Sequence, residues 1–280
     1  MERILVAGAT GYLGTYLLLE LRKRGYYTIA LTRNVKKLNG TSVDKVIVAE
    51  VTEPKTLENI CNEVDCVIST IGITKQKDGL TYMDVDYQAN SNLLKEALRS
   101  GVKTFVYVSV LNGPNLRDLK MIAAKERFVD ELKSSGMDYI IIRPNGFFSD
   151  MTEVLNMSRK GRVYLFGNGK YISNPIHGAD LAEFMVKNLH RRNMELEVGG
   201  PELLSQEKIA EAAFSALFKK AKIVHIPLWI RDFLLRLIHL FSGQKTYGPI
   251  EFFLTVMTMD MIAPTYGSYR LQDYYNDMIL

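Results

Sequence analysis

The chain is poor in the features that mark secreted, membrane-spanning and metal-held proteins. Only two cysteines occur in 280 residues, Cys61 and Cys66. With no second pair and no histidine at ligand spacing, a zinc site would be two ligands short, and the pair reads as reduced thiols in a cytoplasmic protein. No apolar run reaches bilayer-spanning length, and a strand pattern begins at once, with no signal-peptide pattern before it. Low-complexity tracts and internal repeats are also missing. Thirty-five Lys and Arg against 31 Asp and Glu leave a net charge of only +4. It is spread along the chain rather than gathered in a block, so no nucleic-acid partner is expected. Against these absences, 47% hydrophobic residues supply enough apolar surface for a sizeable core.

What is present starts with MERILVAGATGYLG, in which Gly8, Gly11 and Gly14 follow an apolar strand pattern and precede a helical one. Gly8 permits the tight turn, Gly11 lets backbone approach a pyrophosphate, and Gly14 allows helix to pack on sheet. The free N–H groups at a helix N-terminus hold an anion without a lysine. None is present in the loop, and no Gly-Lys-Ser/Thr follows, which excludes a P-loop. Gly8, Ala9, Thr10, Gly11, Tyr12, Leu13 and Gly14 are therefore assigned to a dinucleotide loop, with the helix running over 12–24 and Gly25 ending it.

A second strand over 27–32 ends in Arg33-Asn34. An NAD-specific site places Asp or Glu near this point, against the ribose 2′-hydroxyl. A guanidinium instead clamps a 2′-phosphate through paired, charge-assisted hydrogen bonds. Arg33, Asn34 and the following Lys36 and Lys37 thus predict NADP(H) in preference to NAD(H).

Short β-branched or aromatic runs at 46–48, 67–70, 104–110 and 139–143 alternate with helical patterns at 81–99 and 118–135. Such alternation predicts an α/β fold, a doubly wound, Rossmann-type parallel sheet covered on both faces. Its ligand sits at the carboxyl ends of the strands, where Arg33, Thr70, Ile71, Gly72, Ser109 and the segment from Pro144 lie. Residues 1–150 are read as this nucleotide lobe. Residues 151–280 are read as a smaller, mostly helical substrate or partner lobe, from which a helix near 178–190 returns to the first. Within it, the stretch 228–241 is read as a core helix burying Trp229, Phe233, Leu234, Leu237 and Leu240. A membrane-surface or partner-docking helix is the alternative. Met257, Met259 and Met261 read as adaptable packing.

In order along the chain, the triplet, Arg33, VISTIG at 67–72, VDYQAN at 85–90, FVYVSV at 105–110, AAKERF at 123–128, DYIIIRPNGFF at 138–148 and NPIHGADLA at 174–182 resemble the atypical short-chain dehydrogenase/reductase superfamily. The resemblance is nearest to its NmrA-like branch and covers residues 1 to about 190. It implies a nicotinamide cofactor and a Tyr-x-x-x-Lys pair with a nearby Ser. Lys125 matches the lysine, but Met121 stands where the phenol belongs. The serine position falls on Leu111, with Ser109 two residues early. Tyr107 lies on the strand, away from the helix that carries the phenol in the superfamily.

The resemblance further implies that Lys125 holds the nicotinamide ribose. In similar members such a lysine is assigned proton transfer, which burial beside a second cation would favour by lowering its pKa. Pro144, Asn145, Gly146 and Phe147 resemble the segment that packs against the carboxamide. His177 reads as structural, Asp180 as a first-turn residue complementing the helix dipole, and Asn90 as a prop for the strand at 104–110 or for a water near the nicotinamide, with a polar pair beside Asp86 on the helix face as the alternative. Two readings stay open. One is an NADP(H)-dependent oxidoreductase acting on an apolar, quinone-like or activated-alkene substrate, with Lys125 as its catalytic group. The other is a non-catalytic NADP(H)-binding sensor, regulatory or assembly protein. No metal is expected in either.

Overall fold

Strand β1 (Arg3–Ala7) has four successive residues fully shielded from water, Ile4 to Ala7. Only a strand paired on both edges and covered on both faces shows that pattern. The computed structural model describes residues 1–38, 40–73, 79–241 and 244–279, without the side chains of 237–241, 244–247 and 249, and it supplies both neighbours. β1 pairs in parallel with β2 (Tyr27–Thr32) and β4 (Cys66–Ser69). Outside these lie β3 (Lys45–Val48) on β2, β5 (Thr104–Val108) on β4 and β6 (Asp138–Pro144) on β5, all parallel. With β9 (Met194–Val198), the order is β3-β2-β1-β4-β5-β6-β9. The expected doubly wound α/β sheet is borne out, and the order reverses between β1 and β4, where loops diverge and leave a crevice.

The crossovers follow from apolar spacing. Helix α1 (Tyr12–Lys23) buries Leu13, Leu17, Leu18 and Leu21 on one face, and α3 (Lys120–Ser134) buries Ile122, Phe128, Val129 and Leu132. Between them, α2 (Asn90–Arg99) continues directly from a π-helical turn, Met83–Ala89. Gly8 takes φ +82°, and a side chain there would strike Thr70 Oγ1. At Gly14 an added Cβ would lie 2.2 Å from the Gly8 carbonyl oxygen, so packing of helix on turn fixes that glycine.

The chain divides into two compact units, Met1–Arg143 with Leu181–Leu196, and Pro144–Asp180 with Glu197–Leu280. In the second, α4 (Phe148–Arg159), α6 (Gln206–Ala216) and α9 (Leu271–Asp277) enclose Phe148, Leu155, Phe214 and Tyr275. Two small sheets join β7 (Val163–Phe166) to β11 (Ile223–Ile226) in parallel, and β8 (Ile172–Ser173) to β10 (Leu204–Ser205) antiparallel. Helix α5 (Gly178–Lys187) starts in this unit with Asp180 in its first turn.

Helix α7 (Leu228–Phe241), followed by α8 (Gln244–Val256), corrects the expected core helix. Trp229 is 67% exposed, Phe233 55% and Leu234 37%, whereas Arg231 is half-buried and bonds Asp232 and the Thr258 hydroxyl. The arginine takes the inward side, and the aromatic stripe at i and i+4 turns to solvent. Leu237 and Leu240 lie outside the described side chains. Met261 is buried, and Met257 and Met259 are half-buried.

A buried charge network holds the β5–β6 edge of the first unit. Arg143 donates two hydrogen bonds to Glu126, Nη1 to Oε1 at 2.7 Å and Nη2 to Oε2 at 2.9 Å, and one from Nε to Glu195 at 2.6 Å. Ser109 Oγ adds a bond to Glu126 at 2.7 Å. Replacing Glu126 by Ala takes the bidentate partner from a buried guanidinium and leaves it Glu195 and the Val110 carbonyl, and removing one partner of a buried pair costs about 3–5 kcal/mol. Urea unfolding of Glu126→Ala should show a loss of that order, and a double Glu126→Met, Arg143→Met variant should recover most of it. A single-variant loss below about 1 kcal/mol would mean that solvent reaches the pair.

Candidate functional site

Loops after β1 and β4 meet at the carboxyl edge of the sheet. Thr70 donates to the Ala7 carbonyl from its amide at 3.0 Å and from its hydroxyl at 3.1 Å. Helix α1 starts there from Gly11, with no side-chain cap and no acidic residue in its first turn, while Arg22 and Lys23 occupy its last turn. No carboxylate of its own first turn offsets the positive end of its dipole, which suits an anion. At Gly11 an added Cβ would meet the Gly8 carbonyl oxygen at 3.2 Å, a tighter fit than usual but a looser one than at Gly8 or Gly14. The bareness of Gly11 is better explained by a ligand lying against the backbone. Ala9, Leu13 and Ile71 are buried, so only their backbone is available to a nucleotide. Tyr12 packs edge-on against Tyr16, with ring centres 5.4 Å apart.

Beyond β2, Arg33 and Asn34 are exposed. Asn34 caps the following turn, its Oδ1 accepting the Lys36 amide at 3.0 Å. Arg33 reaches across to Glu50, 3.3 Å away, in an exposed pair.

Lys125 projects from α3 to Asp86, which sits in the π-helical turn. Nζ lies 2.8 Å from Oδ1, with the carboxylate fully buried and the lysine side chain 13% exposed. Asp86 also accepts the Ile73 amide at 3.3 Å. Gly72 is pressed against both charges, since a Cβ there would lie 2.7 Å from each of Asp86 Oδ1 and Lys125 Nζ. The Tyr107 ring centre is 5.8 Å from Nζ. Burial would push the lysine down, but the Asp86 carboxylate and the Tyr107 phenol outweigh it, and the Lys125 pKa is raised. This corrects the expectation of a lysine brought toward neutrality by a second cation: its close charged neighbour is an anion. Burial likewise raises the Tyr107 phenol and fixes it against Phe128, 4.7 Å between ring centres. Met121 and Leu111 are buried and carry no transferable proton.

Other assigned residues are already engaged. The Ser109 hydroxyl is committed to Glu126. Asn90 accepts from Ser69 Oγ at 2.5 Å and donates to the Asp86 carbonyl at 2.9 Å, so it props the end of β4 rather than β5. In the second unit, Asn145 Nδ2 bonds Asn174 Oδ1 at 2.7 Å and the Met261 carbonyl at 2.6 Å. Pro144 ends β6, Gly146 pairs through its carbonyl with the Ile176 amide at 2.8 Å, and Phe147 bridges Ile176. His177 stacks on Tyr269, with ring centres 4.2 Å apart, and Asp180 accepts the Ser268 and Tyr269 amides at 3.1 and 3.0 Å. Asp86 is the site residue whose role the sequence reading missed. Its signal was the shared i, i+4 face with Asn90 in VDYQAN, which by itself also fits a solvated polar pair.

Among the described residues no acidic, cysteine or histidine cluster could hold a metal, and no helix is long and apolar enough to cross a membrane. A family model described as NAD(P)H-binding matches residues 8–192. Divinyl chlorophyllide a 8-vinyl-reductase, chloroplastic, from Arabidopsis thaliana is 29% identical, over 99% of this chain and 76% of that protein. Photosystem II assembly factor Ycf39 from Guillardia theta is 25% identical, over 82% of this chain and 75% of that one. In fold, the chain is similar to AtPrR2 with NADP+ and (+)pinoresinol, at TM-score 0.76, 16% identity and 99% and 98% coverage. It is also similar to the NADPH-dependent quinone oxidoreductase QOR2 complexed with NADPH from Escherichia coli, at TM-score 0.73, 16% identity and 99% and 100% coverage. The chain belongs to the NAD(P)H-binding family, which bears out the superfamily the motifs resemble and establishes a nicotinamide cofactor as its ligand.

Gly11→Val should abolish binding of NADPH and NADH alike, because the branched side chain occupies the space beside the α1 amides. Fluorescence titration checks this, with circular dichroism confirming the fold. Undiminished affinity in a folded variant would make the triplet a turn and nothing more.

Proposed function

We propose that this member of the NAD(P)H-binding family is an NADP(H)-dependent reductase of an apolar, activated-alkene or quinone-like acceptor. The observation that carries the reading is the Lys125 ammonium, buried on Asp86 and held at the Gly72 loop with no transferable proton at position 121 or 111. Bound NADPH supplies the hydride. The protein's task is to hold and orient: the α1 amides take the pyrophosphate, Arg33 the 2′-phosphate, and Lys125 the ribose hydroxyls. Lys125 serves as a fixed cation and not as an acid, since its carboxylate partner keeps the proton on it. An acceptor that takes its proton from water suits such a site, whereas carbonyl–alcohol exchange needs a donor within reach. The vinyl-reductase relatives, named for reduction of a carbon–carbon double bond, support the alkene class.

The second reading, a non-catalytic NADP(H)-binding assembly or regulatory protein, draws on Met121 and Leu111 standing where the donor groups belong, and on the relatives named as assembly factors. Its partner would be a protein, while the first reading needs only a small apolar molecule. Both readings keep the cytoplasmic placement drawn from the reduced thiols, although the plant relatives are named chloroplastic.

Arg33→Asp should weaken NADPH binding about ten- to a hundredfold and leave NADH nearly unchanged, the worth of a charged hydrogen-bonded contact. Competitive titration with both cofactors decides it. Equal parent affinities would remove Arg33 from the site.

Single-turnover oxidation of bound NADPH across quinones, enals and vinyl-substituted aromatics tests the function itself. Lys125→Met should slow the reactive pairs by about two orders of magnitude while weakening NADPH binding no more than about tenfold, because misplacing the donor acts on the barrier directly. If no acceptor oxidises NADPH in the parent protein, the assembly reading replaces this one.

A further inference from the structure

Asp86 is a fully buried carboxylate that neither the glycine loop nor the 2′-phosphate site needs. It sits in a π-helical turn, a conformation rare in globular proteins and frequent at functional sites. One carboxylate oxygen lies 2.8 Å from Lys125 Nζ, and the other accepts the Ile73 amide at 3.3 Å. Carboxylate, ammonium and the loop after β4 therefore meet at one place, with the Lys125 side chain 13% exposed and Gly72 beside it exposed. Stability does not account for such a pair. Replacing buried ions by packed apolar groups is often neutral or stabilising, and the surrounding core of Phe105 and Tyr107 from β5 and Phe128 from α3 offers apolar packing.

We propose that Asp86 is a positioning residue of the nicotinamide nucleotide site, holding the Lys125 ammonium at the Gly72 loop where the cofactor's ribose diol would meet it. The inference rests on Lys125 as a cofactor contact, the reading given above. The groups that face Nζ are Asp86 from the π-helical turn and Tyr107 from β5, and the loop at 71–73 brings no charge. Glu126, next along α3, is taken up by Arg143. Among the described residues Asp86 is thus the one carboxylate paired with the ammonium. Without it, burial dominates, and the lysine gives up its proton within the range where the parent site stays charged. The ribose contact then disappears as pH rises.

The test is NADPH affinity between pH 7 and 10 for the parent, Asp86→Asn, Asp86→Glu, Lys125→Met and the double Asp86→Asn, Lys125→Met variant. Lys125→Met should bind about five- to tenfold more weakly at every pH. Asp86→Asn should bind near the parent level at pH 7 and fall to the Lys125→Met level by pH 10. Asp86→Glu should restore the parent's pH dependence, and the double variant should follow Lys125→Met, since with no amine left there is nothing to titrate. A purely structural role would lower affinity equally at all pH values, and that result overturns the proposal. If Lys125→Met binds as the parent does, the underlying contact fails instead, a separate and recognisable outcome. Should Asp86→Asn not fold, carbon-13 resonances of the lysine side chains in the parent protein decide the matter. Loss of the Lys125 proton below its ordinary value of about 10.4 overturns the proposal, and retention beyond it upholds it.

Discussion

Two adjacent residues of α3 carry opposite charges into the protein interior, and the architecture around the site is built to accommodate them. Lys125 and Glu126 stand about a hundred degrees apart on the helix, so each meets a different neighbour. Lys125 reaches the π-helical turn and finds Asp86, and Glu126 reaches β6 and finds Arg143 bidentately. A buried charge without a partner would cost several kcal/mol, so both partners must be delivered together. The register that places Tyr107 beside Ile141 on β5 and β6 brings α3, β6 and the turn to the required positions. Gly72 and Gly113 are bare for the same reason. At Gly113 an added Cβ would lie 2.3 Å from Glu126 Oε1 and 2.6 Å from Arg143 Nη1.

That arrangement also explains why one site suits both an enzyme and a binding protein. Held by Asp86, Lys125 is a fixed charge near the edge where the α1 amides point, and both features favour a polyanionic nucleotide whether or not hydride leaves it. Catalysis adds one demand, an acceptor that needs no acid from the protein. In this chain the nucleotide site and the missing phenol at position 121 are therefore compatible with either of the proposed readings. The relatives named for those two roles are what such a site permits.

The strand, glycine turn and helix at the start of the chain were legible because their signals are local. Turn, strand and helix succeed one another within fourteen residues, and the apolar spacing of α1 and α3 states which face is inward. The partners of Lys125 and Glu126 were not legible, because Asp86 lies 39 positions and Arg143 17 positions away, and only sheet register brings them close. Nothing in VDYQAN announces a π-helical turn, since the extra residue per turn leaves no mark on apolar periodicity. Helix α7 misled for a different reason. Its stretch is apolar nearly all round, so periodicity could not say which side packs, and the Arg231 contacts with Asp232 and Thr258 settled the choice against the aromatic stripe. Asn145 and Ser109 were correctly placed near strand ends, but their side chains serve the framework.

Arg33 shows how little an exposed ion pair need impede a ligand. Its contact with Glu50, at 3.3 Å with the side chains 60% and 31% exposed, belongs to a class worth about 0–1 kcal/mol. A 2′-phosphate presents close to two negative charges and several acceptor oxygens to the same guanidinium, with bidentate hydrogen bonds roughly twice as strong as neutral ones. With the 2′-phosphate at Arg33 as proposed, exchange of the carboxylate for the phosphate would be favourable even after Glu50 is released to water. The ribose 2′-hydroxyl of NADH has no comparable pull on the guanidinium and would instead donate to a nearby carboxylate, as in an NAD-specific site. The Arg33–Glu50 pair thus carries a group suited to each nucleotide, and the NADP(H) preference proposed for this chain rests on the guanidinium outweighing the carboxylate.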